Sequence, residues 1–122
     1  MPSKKQHSGA EYSTVTQNDF LSEYFETENT IIVIHFFNEN EEEISKQIDF
    51  ELCDLAAKYH EARFLRINGR LAPFIASKFK IKKFPTVAAI RRQEVIDRLT
   101  MSDINETQLL REWLFTAGAM TL

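Results

Sequence analysis

The side chains in this chain that could do chemistry are one cysteine, three histidines and two long runs of like charge. Disulfide exchange needs a thiolate, commonly activated at a helix N-terminus, and a second thiol to resolve the mixed disulfide. Cys53 stands alone in 122 residues, which excludes an internal disulfide framework, a CxxC pair and an all-cysteine metal site. It follows Leu52 in a helical apolar stripe and is expected to be a buried structural thiol. His35 sits between Ile34 and Phe36 in an apolar run and reads as a hydrogen-bonded core histidine. No Ser/His/Asp order, HExxH helix or phosphate-binding loop is present, so no cofactor is expected.

The charge runs are opposite in sign. Residues 38–54 hold seven carboxylates (Glu39, Glu41, Glu42, Glu43, Asp49, Glu51 and Asp54) against Lys46 alone. A calcium loop would need oxygen ligands at alternating positions and a glycine turn; this run has neither and reads as a solvated helix start, with no metal site. Residues 62–92 hold nine cations and no acid, among them Lys78, Lys80, Lys82, Lys83, Arg91 and Arg92. Two readings stay open: the runs lie side by side and neutralise each other, or the basic one is a docking surface for an acidic partner. Phe64, Phe74, Phe79 and Phe84 are interleaved with these cations but are expected on the buried phase of their elements. With a net charge of −3 and no RNP-type motif, nucleic-acid binding is not expected.

The elements that must position these residues follow from periodicity. Residues 1–10 are polar and read as a disordered tail without a secretory signal, so the expected compartment is the cytoplasm, with the nucleus as the alternative. Residues 12–15 suit a short edge strand. Thr16 is the N-cap of a helix whose apolar face is Phe20, Leu21, Tyr24 and Phe25. The run TIIVIHFF over 30–37 is apolar on both phases and predicts a strand buried on both faces, in the middle of a sheet. Over 41–59, Ile44, Ile48, Leu52, Leu55 and Ala56 mark the buried stripe of a long helix, with three glutamates favoured in its first turn by the backbone dipole.

Residues 63–68 alternate as a strand, and 71–79 form a short helix with Pro73 in its first turn. Phe84-Pro85-Thr86 precedes a strand over 87–91, a turn at Arg92-Gln93 and an antiparallel strand over 95–99. A last helix over 105–117 turns Leu109, Leu110, Trp113 and Leu114 inward and ends at Gly118. No apolar run approaches the ~20 residues of a membrane helix, and no membrane association is expected.

The order TIIVIHFF, acidic turn, long helix, FLRIN, short helix, Phe-Pro-Thr, hairpin and closing helix resembles the thioredoxin fold, a three-layer α/β/α domain with a mixed central sheet. Within that superfamily the chain is most similar to the phosducin-like proteins. The shared stretches are His35-Phe36-Phe37, Lys58-Tyr59-His60-Glu61, the run from Arg63 to Asn68, Ala72-Pro73-Phe74 and Ile81 to Thr86. The resemblance implies one thioredoxin-like domain over 11–122, a cis-proline at Pro85, and a loop Phe84-Pro85-Thr86 facing the start of the long helix. Where thioredoxins carry CxxC, this chain reads Glu41-Glu42-Glu43-Ile44-Ser45; Ser45 takes the position at which some phosducin-like proteins keep a cysteine. The resemblance covers the domain alone: neither the long N-terminal helical region nor the charged C-terminal tail of full-length phosducin-like proteins is matched by these 122 residues, so partner binding through those segments is not expected of them.

The expected function is therefore non-enzymatic: a redox-inactive, protein-binding thioredoxin-like domain. The resemblance implies the cytosolic chaperonin and its clients actin and tubulin as partners, with a cochaperone role. The docking residues expected are Lys78, Lys80, Lys82, Lys83, Arg91 and Arg92. Two alternatives stand beside it: a redox-inactive component of another assembly such as the spliceosome, and an enzyme using Cys53 as a lone thiol, which an inaccessible Cys53 would eliminate.

Overall fold

A computed structural model describes residues 12–26 and 29–120 of the chain; the tail expected over 1–10 lies outside the described residues. Five strands form one mixed sheet in the order β1-β3-β2-β4-β5, where β1 is Tyr12–Thr14, β2 Ile31–Phe37, β3 Ala62–Asn68, β4 Thr86–Arg91 and β5 Glu94–Thr100. The apolar run of β2 takes the central place because both its phases need cover, and six of its seven residues are buried. β1 and β2 both pair parallel with β3, while β4 runs antiparallel to β2 and forms a hairpin with β5.

The helices α1 (Gln17–Glu26), α2 (Glu42–Lys58), α3 (Pro73–Lys78) and α4 (Leu110–Thr116) cover the two faces in pairs. Val33 on β2 meets Ile48 and Leu52 of α2 and Leu114 of α4 in one core; Ile34 and Phe36, on the other phase, meet Phe20 of α1 and Ile75 of α3. The alternation of a single strand thus divides two apolar cores. All five stripe residues expected of α2, from Ile44 to Ala56, are buried.

Thr16 caps α1, its hydroxyl accepting the Asp19 N–H at 3.1 Å. Phe20 and Tyr24, four residues apart, are buried, but Phe25 is 62% exposed, contrary to expectation: one residue beyond Tyr24, it is turned about 100° off the buried face. The closing helix also departs from its expected form. A 3-10 segment occupies Ile104–Leu109, started by an Asp103/Glu106 capping box, and α-helical winding begins only at Leu110. Three residues per turn shift the inward phase, so Leu110 and Leu114 are buried while Leu109 faces solvent. Gly118 ends α4 at φ +84, with the Ala119 N–H reaching the Leu114 carbonyl at 3.0 Å. The hairpin turn places Arg92 and Gln93 at φ 53 and 67, the paired left-handed conformation of a two-residue turn. Tyr24 Oη donates to the Gln93 carbonyl at 2.5 Å and anchors that turn to α1.

Candidate functional site

The C-terminal ends of β2 and β3 and the N-terminal end of β4 meet at one edge of the sheet. The connection after β2 enters α2 on one face, and the connection after β3 enters α3 on the other. Open α/β sheets leave a crevice at such a divergence. Two grooves lie there. The first, about 390 Å³, is lined by Asn38 at the exit of β2, Lys82, Lys83 and Phe84 before β4, and Thr100, Met101 and Ser102 after β5. The second, about 300 Å³, lies beside the start of α2 and is lined by Phe37, Asn38, Glu39, Ser45, Lys46, Asp49 and Arg66.

The Phe84–Pro85 bond in the first groove is cis. Its loop is held from three sides. Thr86 Oγ1 donates to the Lys83 carbonyl at 2.7 Å and lies 2.7 Å from Thr100 Oγ1; the Met101 N–H donates to the Pro85 carbonyl at 3.2 Å. The Phe84 ring packs onto the backbone of Gly69, where a Cβ would lie only 2.3 Å from Phe84 Cε1. Lys82 and Lys83 are exposed, and among the described residues no ion pair joins them to Glu39 or Glu43. Glu39 instead accepts from Asn68 Nδ2 at 2.8 Å.

At the start of α2, Glu43 is exposed, Ile44 joins the core and Ser45 is 5% exposed, its Oγ without a hydrogen-bond partner among the described residues. The side chains of Glu41 and Glu42 lie outside the described residues. The chain's thiol is elsewhere. Cys53 is exposed, which corrects the expectation of a buried thiol. Leu52, Leu55 and Ala56 take the buried phase of α2, and one residue past Leu52 the helix has turned Cys53 outward. It lies eight residues beyond Ser45, about 12 Å along the helix axis. Its accessibility therefore does not eliminate a lone-thiol enzyme, but it stands apart from both grooves and has no hydrogen-bond partner among the described residues.

The six expected docking residues do not form one patch. Lys82 and Lys83 stand at the entry to β4, whereas Arg91 and Arg92 stand at its exit. A six-residue strand separates its ends by about 17 Å. Lys78 and Lys80 are exposed at the end of α3 and in the turn after it, Lys80 at φ 58. Other basic residues of the run are partly neutralised: Arg63 Nε donates to Glu23 at 2.8 Å and Arg66 Nε to Asp49 at 3.1 Å.

Sequence reading missed the polar network behind the second groove. Asp49 Oδ1 accepts from Tyr12 Oη at 2.5 Å, from His35 Nδ1 at 2.9 Å and from Arg66 Nε at 3.1 Å. Arg66 also donates to Thr14 Oγ1 at 2.9 Å, and its guanidinium lies 4.0 Å from the centroid of the Phe37 ring. The expected core histidine is His35, fully buried. Burial lowers its pKa and keeps the imidazole neutral, against the opposing pull of Asp49. The Nδ1 proton then goes to Asp49, leaving Nε2 an acceptor with no partner among the described residues. Burial works against an ionised Asp49, yet the donors from His35 and Tyr12 and the charge of Arg66 hold its carboxyl below the ordinary range. Burial, reinforced by Asp49, pushes the Tyr12 hydroxyl well above the ordinary tyrosine value. The available signal was Asp49 itself, a carboxylate four residues after Ser45 and three before Leu52 on the inward side of α2.

No protein-family model matches the chain. It is 33% identical over 88 residues to Phosducin-like protein 3 of Drosophila melanogaster, covering 70% of this chain and 40% of that protein. Over 93 residues it is 32% identical to Thioredoxin domain-containing protein 9 of Mus musculus, covering 75% and 40%. A third relative, the Thioredoxin domain-containing protein 9 homolog of Arabidopsis thaliana, is 35% identical over 88 residues, covering 71% and 40%. The chain thus spans 40% of the length of these curated relatives. Among solved structures, the short form of thioredoxin f from spinach chloroplast superposes with a TM-score of 0.73 at 18% identity, over 88% of this chain and 93% of that one. Thioredoxin NaTrxh of Nicotiana alata superposes at 0.74 with 17% identity, over 95% and 98%. At such identities the structural likeness establishes the fold alone.

Proposed function

We propose that this chain, a thioredoxin-fold domain related to the phosducin-like proteins, is a redox-inactive protein-binding module rather than an oxidoreductase. One observation carries the reading. The groove beside the cis Phe84–Pro85 bond has no thiol, and the chain's one cysteine stands on the outer face of α2. Thiol–disulfide exchange at this groove would need a thiolate and a resolving partner, and Glu43, Ile44 and Ser45 supply neither. What the groove does have is a rigid loop and two exposed lysines, the equipment of a recognition surface.

The partner that fits the resemblance is the cytosolic chaperonin, with actin and tubulin as clients, and the domain acts as a cochaperone in the cytoplasm. Affinity capture from cell lysate at low and moderate salt, read by mass spectrometry, tests this together with an insulin-reduction assay. Wild type is expected to recover chaperonin subunits, a variant with Lys78, Lys80, Lys82 and Lys83 changed to Glu to lose them, and neither to reduce insulin. Recovery of splicing factors instead of chaperonin would replace the partner. Catalytic insulin reduction would overturn the redox-inactive reading.

A further inference from the structure

Beyond Phe84, at the same end of the sheet, two large apolar side chains face solvent. Leu71 is 75% exposed and Phe74 57%, three residues apart across the junction of the Gly69–Leu71 3-10 turn with α3; contrary to expectation, Ile75 rather than Phe74 takes the buried phase. Their backbone is pinned. Gln17 Oε1 accepts the N–H of Phe74 at 2.9 Å and of Ile75 at 3.2 Å, tying the start of α3 to the start of α1, while Ala72 and Ile75 anchor the segment in the core. The Phe84 ring, which lines the groove of the cis-proline loop, is seated on Gly69, two residues before Leu71.

Arg70 adjoins Leu71 in the chain, and Lys82 and Lys83 directly precede Phe84, whose ring sits on Gly69; all three cations are exposed and without an ion pair among the described residues. Apolar side chains on a pinned backbone, with exposed cations that form no ion pair among the described residues at the same end of the sheet, have the make-up of a recognition patch: an apolar centre for affinity, charge for steering and register. We infer that Leu71 and Phe74 are the apolar centre of a docking surface for an acidic protein segment that contributes its own aromatic or aliphatic side chains, with Arg70, Lys82 and Lys83 as the charged rim. The inference rests on the protein-binding reading above and adds the location and chemistry of the contact.

Fluorescence anisotropy with the full chain tests it. The probe is a fluorescein-labelled 12-residue peptide alternating Glu with Leu and Phe, beside a matched peptide with Lys for Glu and a single-stranded RNA. The acidic peptide is expected to bind at least tenfold more tightly than the basic one, and more weakly as salt rises. Leu71→Ser/Phe74→Ser and Lys82→Glu/Lys83→Glu should each weaken it at least fivefold. Arg91→Glu/Arg92→Glu, at the far end of β4, should not. All six positions are exposed, and circular dichroism checks that each variant is folded. Equal binding of the two peptides, tighter binding of RNA, or unchanged affinity in the Leu71/Phe74 variant would overturn the inference. If lysate capture yields no chaperonin but the peptide still depends on Leu71 and Phe74, the surface stands and only the partner changes. Chaperonin captured equally by the Leu71/Phe74 variant would overturn the surface and keep the partner.

Discussion

His35 Nδ1 lies 2.9 Å from Asp49 Oδ1, a bond that ties the centre of the sheet to the middle of its longest helix. Tyr12 and Arg66 complete the contact from the two strands on that side, so one carboxylate oxygen gathers β1, β2, β3 and α2.

Removing that carboxylate should therefore cost more than one hydrogen bond. Asp49→Ala leaves the buried His35, the hydroxyl of Tyr12 and the Arg66 guanidinium without their acceptor, and a loss of about 2–4 kcal/mol is expected. Tyr12→Phe removes one donor and should cost about 1 kcal/mol. Urea denaturation compares the two; a near-neutral Asp49→Ala would contradict a network held by Asp49.

The same contact sets a pH dependence. His35 has a folded pKa below its ordinary 6.5, so below pH 6.5 the unfolded chain takes up a proton that the folded chain refuses. Stability is full above 6.5 and falls as pH drops towards the lowered folded value, by at most about 1.4 kcal/mol per pH unit for this one group. His35→Gln should flatten that limb between pH 7.5 and 5. Parallel stability curves for the two proteins would rule the assignment out.

Gly69 lies under the Phe84 ring, with no room for a methyl group. Gly69→Ala should destabilise by about 1–3 kcal/mol through displacement of that ring. The double variant Gly69→Ala/Phe84→Leu should cost less than the sum of the single changes; strict additivity would show that the two residues do not press on each other.

Cys53 is exposed on α2. The native protein should release one equivalent of thiolate chromophore with Ellman's reagent, without denaturant and at a rate close to that of the unfolded chain. A thiol that reacts only after unfolding would contradict the outward orientation.

Legibility varied by the kind of signal. The stripe Ile44, Ile48, Leu52, Leu55, Ala56 and the two-phase run of β2 were readable because periodicity is local: each residue's neighbours reveal its face. The Thr16 cap was readable for the same reason. Phe25, Phe74, Leu109 and Cys53 were assigned inward because each adjoins a buried residue, but one helical step is about 100° and a change of winding moves the phase. Charge was harder still. A run of nine cations in sequence became two paired arginines, Arg70 after β3, Lys78 and Lys80 at the end of α3, a lysine pair at one end of β4 and an arginine pair at the other, the last two parted because a strand carries its ends about 17 Å apart.

By itself the sequence determined the order of elements, the central place of β2 and the lack of any dithiol, since these depend on composition and on spacing within single segments. Only the tertiary structure decided that Tyr12, His35, Asp49 and Arg66 share one contact and that Phe84, next to Lys82 and Lys83 in the chain, meets Gly69 at the end of the sheet where Leu71 and Phe74 are exposed. Those positions are distant along the chain. The parallel register of β1, β3 and β2 and the crossover through α2 bring the first four together, and the seat of Phe84 on Gly69 joins the rest.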